Sequence, residues 1–137
     1  MGNINSIKKI NFEDGNVLII QYAIQNNICI ISTLPSSNQK CLIKNTISCE
    51  NEETVMNNYL SQHNKKQKII IYGKNNNDVT IFKKYQQLSK LGFSNLYIYV
   101  GGLFEWLCLQ DIYGKDDFPT TCDELDILKY KPCKINI

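Results

Sequence analysis

Three short stretches of the chain are apolar and rich in β-branched or aromatic residues, and each is bounded by polar residues. They cover residues 28–33, 68–72 and 95–100, and this pattern is typical of buried strands. Residues 41–48 mix Leu and Ile with polar side chains and form a weaker fourth candidate. The hydrophobic pattern therefore predicts a sheet built from short, buried strands.

Apolar residues at helical spacing lie between these predicted strands. The clearest case is residues 78–91, where an apolar residue recurs about every third position, with Asp78 suited to cap the start and Gly92 suited to end the helix. Helices are also predicted after Glu50 and over residues 103–112. The chain therefore alternates between strands and helices.

Residues 17–24 form another apolar run that is compatible with a helix or a strand, and its length and position before a strand favour a helix. Alternating strands and helices are typical of a parallel sheet. The expected fold is α/β, with a central, mostly parallel sheet and helices on both faces. We expect an N-terminal arm over residues 1–12, one domain over residues 13–121, and a C-terminal tail over residues 122–137 that packs on the domain or trails it.

Composition and charge narrow the classes of function. The chain has 137 residues and is 43% hydrophobic, which suits one core and not two. Its 15 basic and 13 acidic residues nearly balance, so nucleic acid is not an expected partner. No apolar stretch approaches the ~18 residues of a membrane helix, and no secretory signal pattern is present. These features predict a cytoplasmic protein.

The cysteines are expected to be reduced thiols, several of them in the core. No two have the C-x-x-C spacing, and His63 is the single histidine, so neither a metal site nor a cofactor is expected. Core packing is expected for Cys29 and Cys108, whereas Cys122 lies in a predicted loop and is expected to be the most exposed thiol. The six cysteines are Cys29, Cys41, Cys49, Cys108, Cys122 and Cys133.

The second half of the chain contains an ordered set of motifs. An apolar strand ends at Tyr72, a six-residue loop covers residues 73–78, the next helix ends at a Gly-Phe pair that begins with Gly92, and a Gly-Gly-x-x-x-Trp motif covers residues 101–106. This order resembles the single-domain rhodanese-like family of the thiosulfate sulfurtransferase type. The resemblance extends over residues 28–112 and implies the rhodanese-like α/β fold.

The resemblance also implies a catalytic cysteine at the position that Gly73 occupies. In active members of the family the cysteine thiolate carries sulfur as a persulfide, and Gly73 provides no nucleophile. A basic residue usually ends the loop, whereas this chain has Asp78, whose carboxylate should cap the helix and occupy or repel the anion site. Lys74 keeps one positive charge nearby, which could form a weak surface pair with Asp78 or serve in binding. The predicted vestigial loop contains no catalytic residue and consists of Gly73, Lys74, Asn75, Asn76, Asn77 and Asp78.

Two functions of different classes follow from these departures. The first is a catalytically inactive rhodanese-like module that binds a protein partner of unknown identity through the loop. The second is a sulfurtransferase or thiol-redox enzyme that uses a cysteine elsewhere, with Cys108 and Cys122 as candidates. A phosphatase of the related cell-division-cycle type fits less well, because it needs a cysteine at position 73 and an arginine at the end of a longer loop.

The N-terminus carries a separate signal. Residues 1–6 fit the M-G-x-x-x-[ST] pattern, which predicts myristoylation of Gly2 after removal of Met1. A single acyl chain binds bilayers only weakly, and Lys8 and Lys9 would add about 1 kcal/mol each at an anionic surface. Any association with membranes is therefore expected to be reversible, and the alternative is a soluble arm.

Overall fold

Five short strands form one parallel sheet in the computed structural model, which describes residues 7–10, 18–26 and 28–132. The order across the sheet is β1-β5-β4-β2-β3, and each neighbouring pair is parallel. The predicted α/β fold with a central parallel sheet is thus confirmed. In chain order the strands are β1 (Lys8–Ile10), β2 (Cys29–Ser32), β3 (Thr46–Ile47), β4 (Ile69–Tyr72) and β5 (Leu96–Tyr99).

The inner strands β2 and β4 are buried on both faces of the sheet. Every residue of the two strands is buried, which accounts for their continuous apolar sequences. The register aligns the last residues of β2, β4 and β5, which are Ser32, Tyr72 and Tyr99. The segments that follow these three strands therefore meet at one edge of the sheet.

Within the described residues, four helices cover the two faces of this sheet. Two of them, α1 and α4, pack on one face, where Trp106 is fully buried, and α2 and α3 pack on the other, where Ile81 and Leu88 are buried. None of the helices in the described ranges has the length and apolar character needed to cross a bilayer. The helices are α1 (Leu18–Gln25), α2 (Cys49–Ser61), α3 (Thr80–Lys90) and α4 (Gly102–Tyr113).

The predicted elements match the observed ones closely, apart from residues 41–48 and the strand β1. Within the run over residues 17–24, the described residues 18–24 are helical, as the position of the run favoured. Residues 41–48, in contrast, contribute only the two-residue strand Thr46–Ile47. The preceding residues face another neighbour, because Ile43 forms an antiparallel bridge with Thr120.

The N-terminal arm predicted over residues 1–12 contains a strand that the sequence analysis missed. Lys8–Ile10 pairs with β5, and Ile10 is fully buried. Both lysines of this strand are exposed at the edge of the sheet, so its sequence shows no apolar run. The lipidation candidate Gly2 lies outside the described residues.

The C-terminal segment packs on the domain. A 3-10 helix at Ile127–Tyr130 places Tyr130 in the core, where its side chain is 2% exposed. The carbonyl oxygen of Tyr130 accepts a hydrogen bond of 3.0 Å from the side-chain amide of Asn75. The segment therefore contacts the loop after β4, while Cys133 lies outside the described residues.

Candidate site in the loop after strand β4

The six residues that the sequence analysis singled out connect β4 to α3. This connection lies at the edge of the sheet where β2, β4 and β5 end, which is where open α/β sheets commonly bind ligands. The exposure of the six residues differs. Gly73 and Asn75 are buried, Lys74 and Asp78 are half-buried, and Asn76 and Asn77 are exposed.

The carboxylate of Asp78 lies inside this loop. Its Oδ2 accepts a hydrogen bond from the backbone N–H of Lys74 at 2.8 Å, and its Oδ1 accepts one from the backbone N–H of Thr80 at 3.0 Å. The backbone N–H of Asp78 donates to the carbonyl oxygen of Asn75 at 3.2 Å, so a turn precedes α3 and the helix begins at Thr80. The contact with Lys74 thus comes from the backbone, not from the ammonium that the sequence suggested.

The same carboxylate fills the space in front of Gly73. A Cβ atom at position 73 would lie 2.5 Å from Asp78 Oδ2, 2.8 Å from Asp78 Cγ and 3.0 Å from Ile81 Cγ2. These separations are shorter than van der Waals contact. Any side chain at position 73 would therefore require the Asp78 carboxylate to shift from its present position.

Two hydroxyl groups extend the hydrogen bonds of Asp78 to strand β2. Thr80 Oγ1 contacts Asp78 Oδ1 and lies 2.7 Å from Thr33 Oγ1. The backbone N–H of Thr33 donates to the carbonyl oxygen of Tyr72 at 2.9 Å. The ends of β2 and β4 and the start of α3 are thereby joined through the Asp78 carboxylate.

The loop is also joined to the start of α4. The carbonyl oxygens of Gly73 and Lys74 accept hydrogen bonds from the N–H groups of Leu103 and Phe104, each at 2.9 Å. Gly102 makes this approach possible, because its φ is +65° and an added Cβ would lie 2.6 Å from the Gly73 oxygen. The first N–H groups of α4 are therefore used within the protein.

Of the three consecutive asparagines in the loop, Asn75 has a structural role. Its side chain is 7% exposed. Its Oδ1 accepts from the N–H of Asn77 at 2.9 Å, and its Nδ2 donates to the carbonyl oxygen of Tyr130. Both ends of the buried amide are therefore satisfied, whereas the side chains of Asn76 and Asn77 face the surface.

A shallow groove of about 270 Å³ lies beside the loop. Cys108 is one of the residues that line this groove. Burial raises the pKa of its thiol, and the nearby charges of Asp111 and Glu105 raise it further. The Tyr99 hydroxyl donates to Glu105 Oε1 at 2.8 Å. A thiol with a raised pKa is a poor nucleophile at neutral pH. The groove is lined by Asn76, Gly101, Phe104, Glu105, Cys108 and Pro132.

The other described cysteines differ in exposure. Cys29 and Cys41 are buried, and burial raises the pKa of their thiols to about 12 and about 11, respectively. Cys122 is less exposed than the sequence suggested, because it lies against Cys41, whose Sγ donates to the Cys122 carbonyl oxygen at 3.4 Å. Among the cysteines in the described ranges, Cys49 at the start of α2 is the exposed one.

The part of the chain that the structure describes contains no group of three or more His, Cys, Asp or Glu side chains that could hold a metal ion. His63 is exposed just after α2. The residues that sequence reasoning missed around the loop are Thr33, Thr80 and Tyr130. Their types carry no functional signal, and the position of Thr80 two residues after Asp78 is the only clue that the sequence offered.

Comparisons with known proteins agree with this architecture. The family model described as the rhodanese-like domain matches residues 21–108. A crystal structure of the Alr3790 protein from Anabaena sp. has 19% sequence identity, a TM-score of 0.54, and coverage of 80% of both chains. A solution NMR structure of the rhodanese-like domain of that protein has 17% identity, a TM-score of 0.50, and coverage of 88% of this chain and 84% of that one. At these identities the structural similarities concern the fold, and the comparison with curated proteins found no match.

Proposed function

The chain belongs to the rhodanese-like family, and on that premise we propose that it is a non-catalytic member that binds a protein partner through the loop after β4. The position of the Asp78 carboxylate is the observation that carries this proposal. This carboxylate accepts a hydrogen bond from the Lys74 N–H and fills the space in front of Gly73. A loop that lacks the nucleophile and is filled by its own carboxylate has neither the sulfur carrier nor the room for one.

The charge inside the loop supports the same conclusion. An anionic sulfur donor such as thiosulfate would have to approach the Asp78 carboxylate, and like charges at short range repel each other. Two backbone donors of this region are also occupied, because the N–H groups of Lys74 and Thr80 donate to Asp78. The loop is therefore poorly suited to hold an anion.

The outer surface of the loop suits a polypeptide better. Asn76 and Asn77 expose amides that can donate and accept hydrogen bonds, and Val79 is an apolar side chain that is 73% exposed beside them. Backbone groups of a partner can pair with the amides while an apolar side chain covers Val79. The two amides and Val79 together form a small surface with polar and apolar parts at the edge of the sheet.

The first test of the proposal is an assay of sulfur transfer from thiosulfate to cyanide. We expect the purified protein to show no turnover above the rate in buffer, because position 73 offers no thiol. An active member of the family serves as the positive control. Turnover that saturates with thiosulfate and disappears on alkylation would instead support an enzyme that uses Cys108 or Cys122.

The second experiment addresses the partner. Proteins captured by the wild type from native extract would be compared with those captured by the Asn76→Ala, Val79→Ala double variant, using quantitative mass spectrometry. The control is Ile112→Ala, since Ile112 is 70% exposed near the far end of α4. A partner of the loop should be lost with the double variant and kept with the control, and equal capture by all three would contradict binding through the loop.

Location forms a separate part of the proposal. We propose a cytoplasmic protein that associates reversibly with anionic membranes when Gly2 is acylated. Lys9 is exposed in β1, whereas the Lys8 ammonium is partly engaged, since its Nζ donates to Asn95 Oδ1 at 3.1 Å and lies 5.0 Å from the centre of the Tyr97 ring. Mass spectrometry of the native N-terminus tests this directly, and an unacylated Gly2 would remove the anchor.

A further inference from the structure

Two cysteines that are far apart in the sequence, Cys41 and Cys122, each lie two residues from an isolated antiparallel bridge. Ile43 bridges Thr120, and the N–H of Thr121 donates to the carbonyl oxygen of Leu42 at 2.8 Å. The same register continued by one residue places Cys41 opposite Cys122. The contact of 3.4 Å between Cys41 Sγ and the Cys122 carbonyl oxygen agrees with this register.

The register places the two cysteines in a favourable type of pair. The N–H of Thr121 donates to the Leu42 carbonyl oxygen, and the N–H of Leu42 donates to Thr121 Oγ1 at 3.0 Å. If the alternation of pairs continues by one residue, Cys41 and Cys122 form a non-hydrogen-bonded pair. In such pairs the Cα atoms are about 4.5 Å apart and the side chains are close. A disulfide requires Cα atoms about 4.4–6.8 Å apart, so the backbone geometry is compatible with one.

We propose that Cys41 and Cys122 form a reversible disulfide by exchange with a low-molecular-weight disulfide such as oxidised glutathione. The Cys122 thiolate attacks one sulfur of the small disulfide, and one small thiolate leaves. The Cys41 sulfur then attacks the Cys122 sulfur of the mixed disulfide, and the second small thiolate leaves. In total the two cysteine thiols lose two electrons and two protons, and the small disulfide is reduced to two thiols.

The environments of the two sulfurs suggest this order of attack. Cys122 is half-buried, whereas Cys41 is fully buried, so a small disulfide can reach Cys122 first. Burial raises the pKa of Cys41 to about 11, which suits a thiol that reacts only once its partner sulfur is held beside it. Access therefore assigns the first step to Cys122.

The disulfide would fasten the C-terminal segment to the domain. This segment contains Tyr130, whose side chain is buried and whose carbonyl oxygen is bound by Asn75. Oxidation would thus limit opening of the segment that contacts the loop after β4. This inference does not depend on what the loop binds.

The test uses the full-length protein incubated with oxidised glutathione, then alkylated and digested without reduction for peptide mass spectrometry. We expect a cross-linked pair of peptides that contains Cys41 and Cys122, and we expect dithiothreitol to remove it. The thermal midpoint should rise by roughly 10 °C on oxidation, because the cross-link closes a long loop. Cys122→Ser should abolish both effects, and Cys49→Ser should leave both unchanged.

Two results would overturn the proposal. One is a folded protein, as judged by circular dichroism, in which Cys41 remains fully alkylatable after oxidation and subsequent denaturation. The other is a set of glutathione adducts or cross-links on Cys49 or Cys133 alone. Since the peptide map assigns every sulfur, neither result depends on whether a cysteine variant folds.

Discussion

Replacing Gly73 with cysteine is expected to lower the free energy of unfolding by about 2–4 kcal/mol, through overpacking and lost hydrogen bonds. The new Cβ would lie 2.5 Å from Asp78 Oδ2, so the carboxylate must move. We expect this movement to weaken or break the hydrogen bonds that the N–H groups of Lys74 and Thr80 donate to the carboxylate. Urea unfolding followed by circular dichroism measures the change.

A double-mutant cycle separates this clash from other effects of the substitution. Asp78→Ala alone should cost about 1 kcal/mol, as for the loss of a helix cap. The double variant Gly73→Cys, Asp78→Ala should be more stable than the sum of the single changes predicts, by roughly 1–2 kcal/mol, because the colliding groups are in direct contact. Gly73→Ala in both backgrounds shows whether the Cβ or the sulfur is responsible, and strict additivity would refute the clash.

The displacement of the Asp78 carboxylate also affects attempts to restore sulfur transfer. We expect Gly73→Cys alone to transfer no sulfur from thiosulfate, since a carboxylate close to the new thiol disfavours its thiolate. Gly73→Cys combined with Asp78→Arg should transfer more, because a cation favours both the thiolate and the anionic donor. Equal rates for the single and double variants would show that the charge of the loop is unimportant.

Gly102→Ala is expected to be more damaging than an alanine at most exposed positions, with a loss of about 3 kcal/mol or more from backbone strain and overpacking. The added Cβ would lie 2.6 Å from the Gly73 carbonyl oxygen and 2.9 Å from the Asn75 backbone nitrogen. Both contacts involve backbone atoms, so no side chain can rotate away to relieve them. The start of α4 would have to separate from the loop.

Gly114→Ala provides the matched control for this variant. Gly114 also has a positive φ, of +103°, but nothing lies within 4 Å of an added Cβ. It should therefore show the cost of an alanine at a positive φ without close packing, about 1–3 kcal/mol. Thermal or urea unfolding of the two variants measures the difference. If Gly114→Ala loses as much stability as Gly102→Ala, close packing between the loop and α4 does not constrain position 102.

The strands and helices that were predicted correctly are those whose own residues carry the signal. β4 was predicted to within one residue because Ile69–Tyr72 is buried on both faces and is therefore apolar throughout. β1 was missed because two of the three residues in Lys8–Ile10 are exposed lysines at a sheet edge. An edge strand is defined by its partner, here β5, and its own residues need not reveal it.

The loop after β4 likewise has features that its own residues reveal and features that depend on distant residues. The composition of residues 73–78 and the missing side chain at Gly73 were visible in the sequence. The roles of the three asparagines were not, because the side-chain amide of Asn75 is bound by Tyr130, which is fifty-five positions away. The pairing of Cys41 with Cys122 was hidden for the same reason, since a register between distant segments leaves no local pattern.

The pairing of β1 also constrains the order in which the domain can assemble during synthesis. Lys8 lies opposite Tyr97, and Ile10 lies opposite Tyr99, so β1 has no strand to join until β5 has left the ribosome. The entropic cost of closing such a long connection grows only slowly with its length. The length of the connection therefore affects mainly when β1 can pair with β5, and has little effect on how stable the pairing is. Tyr130 enters the core later still. A nascent chain therefore lacks its complete core until Tyr130 has been translated, and until then its exposed apolar surface is prone to aggregation.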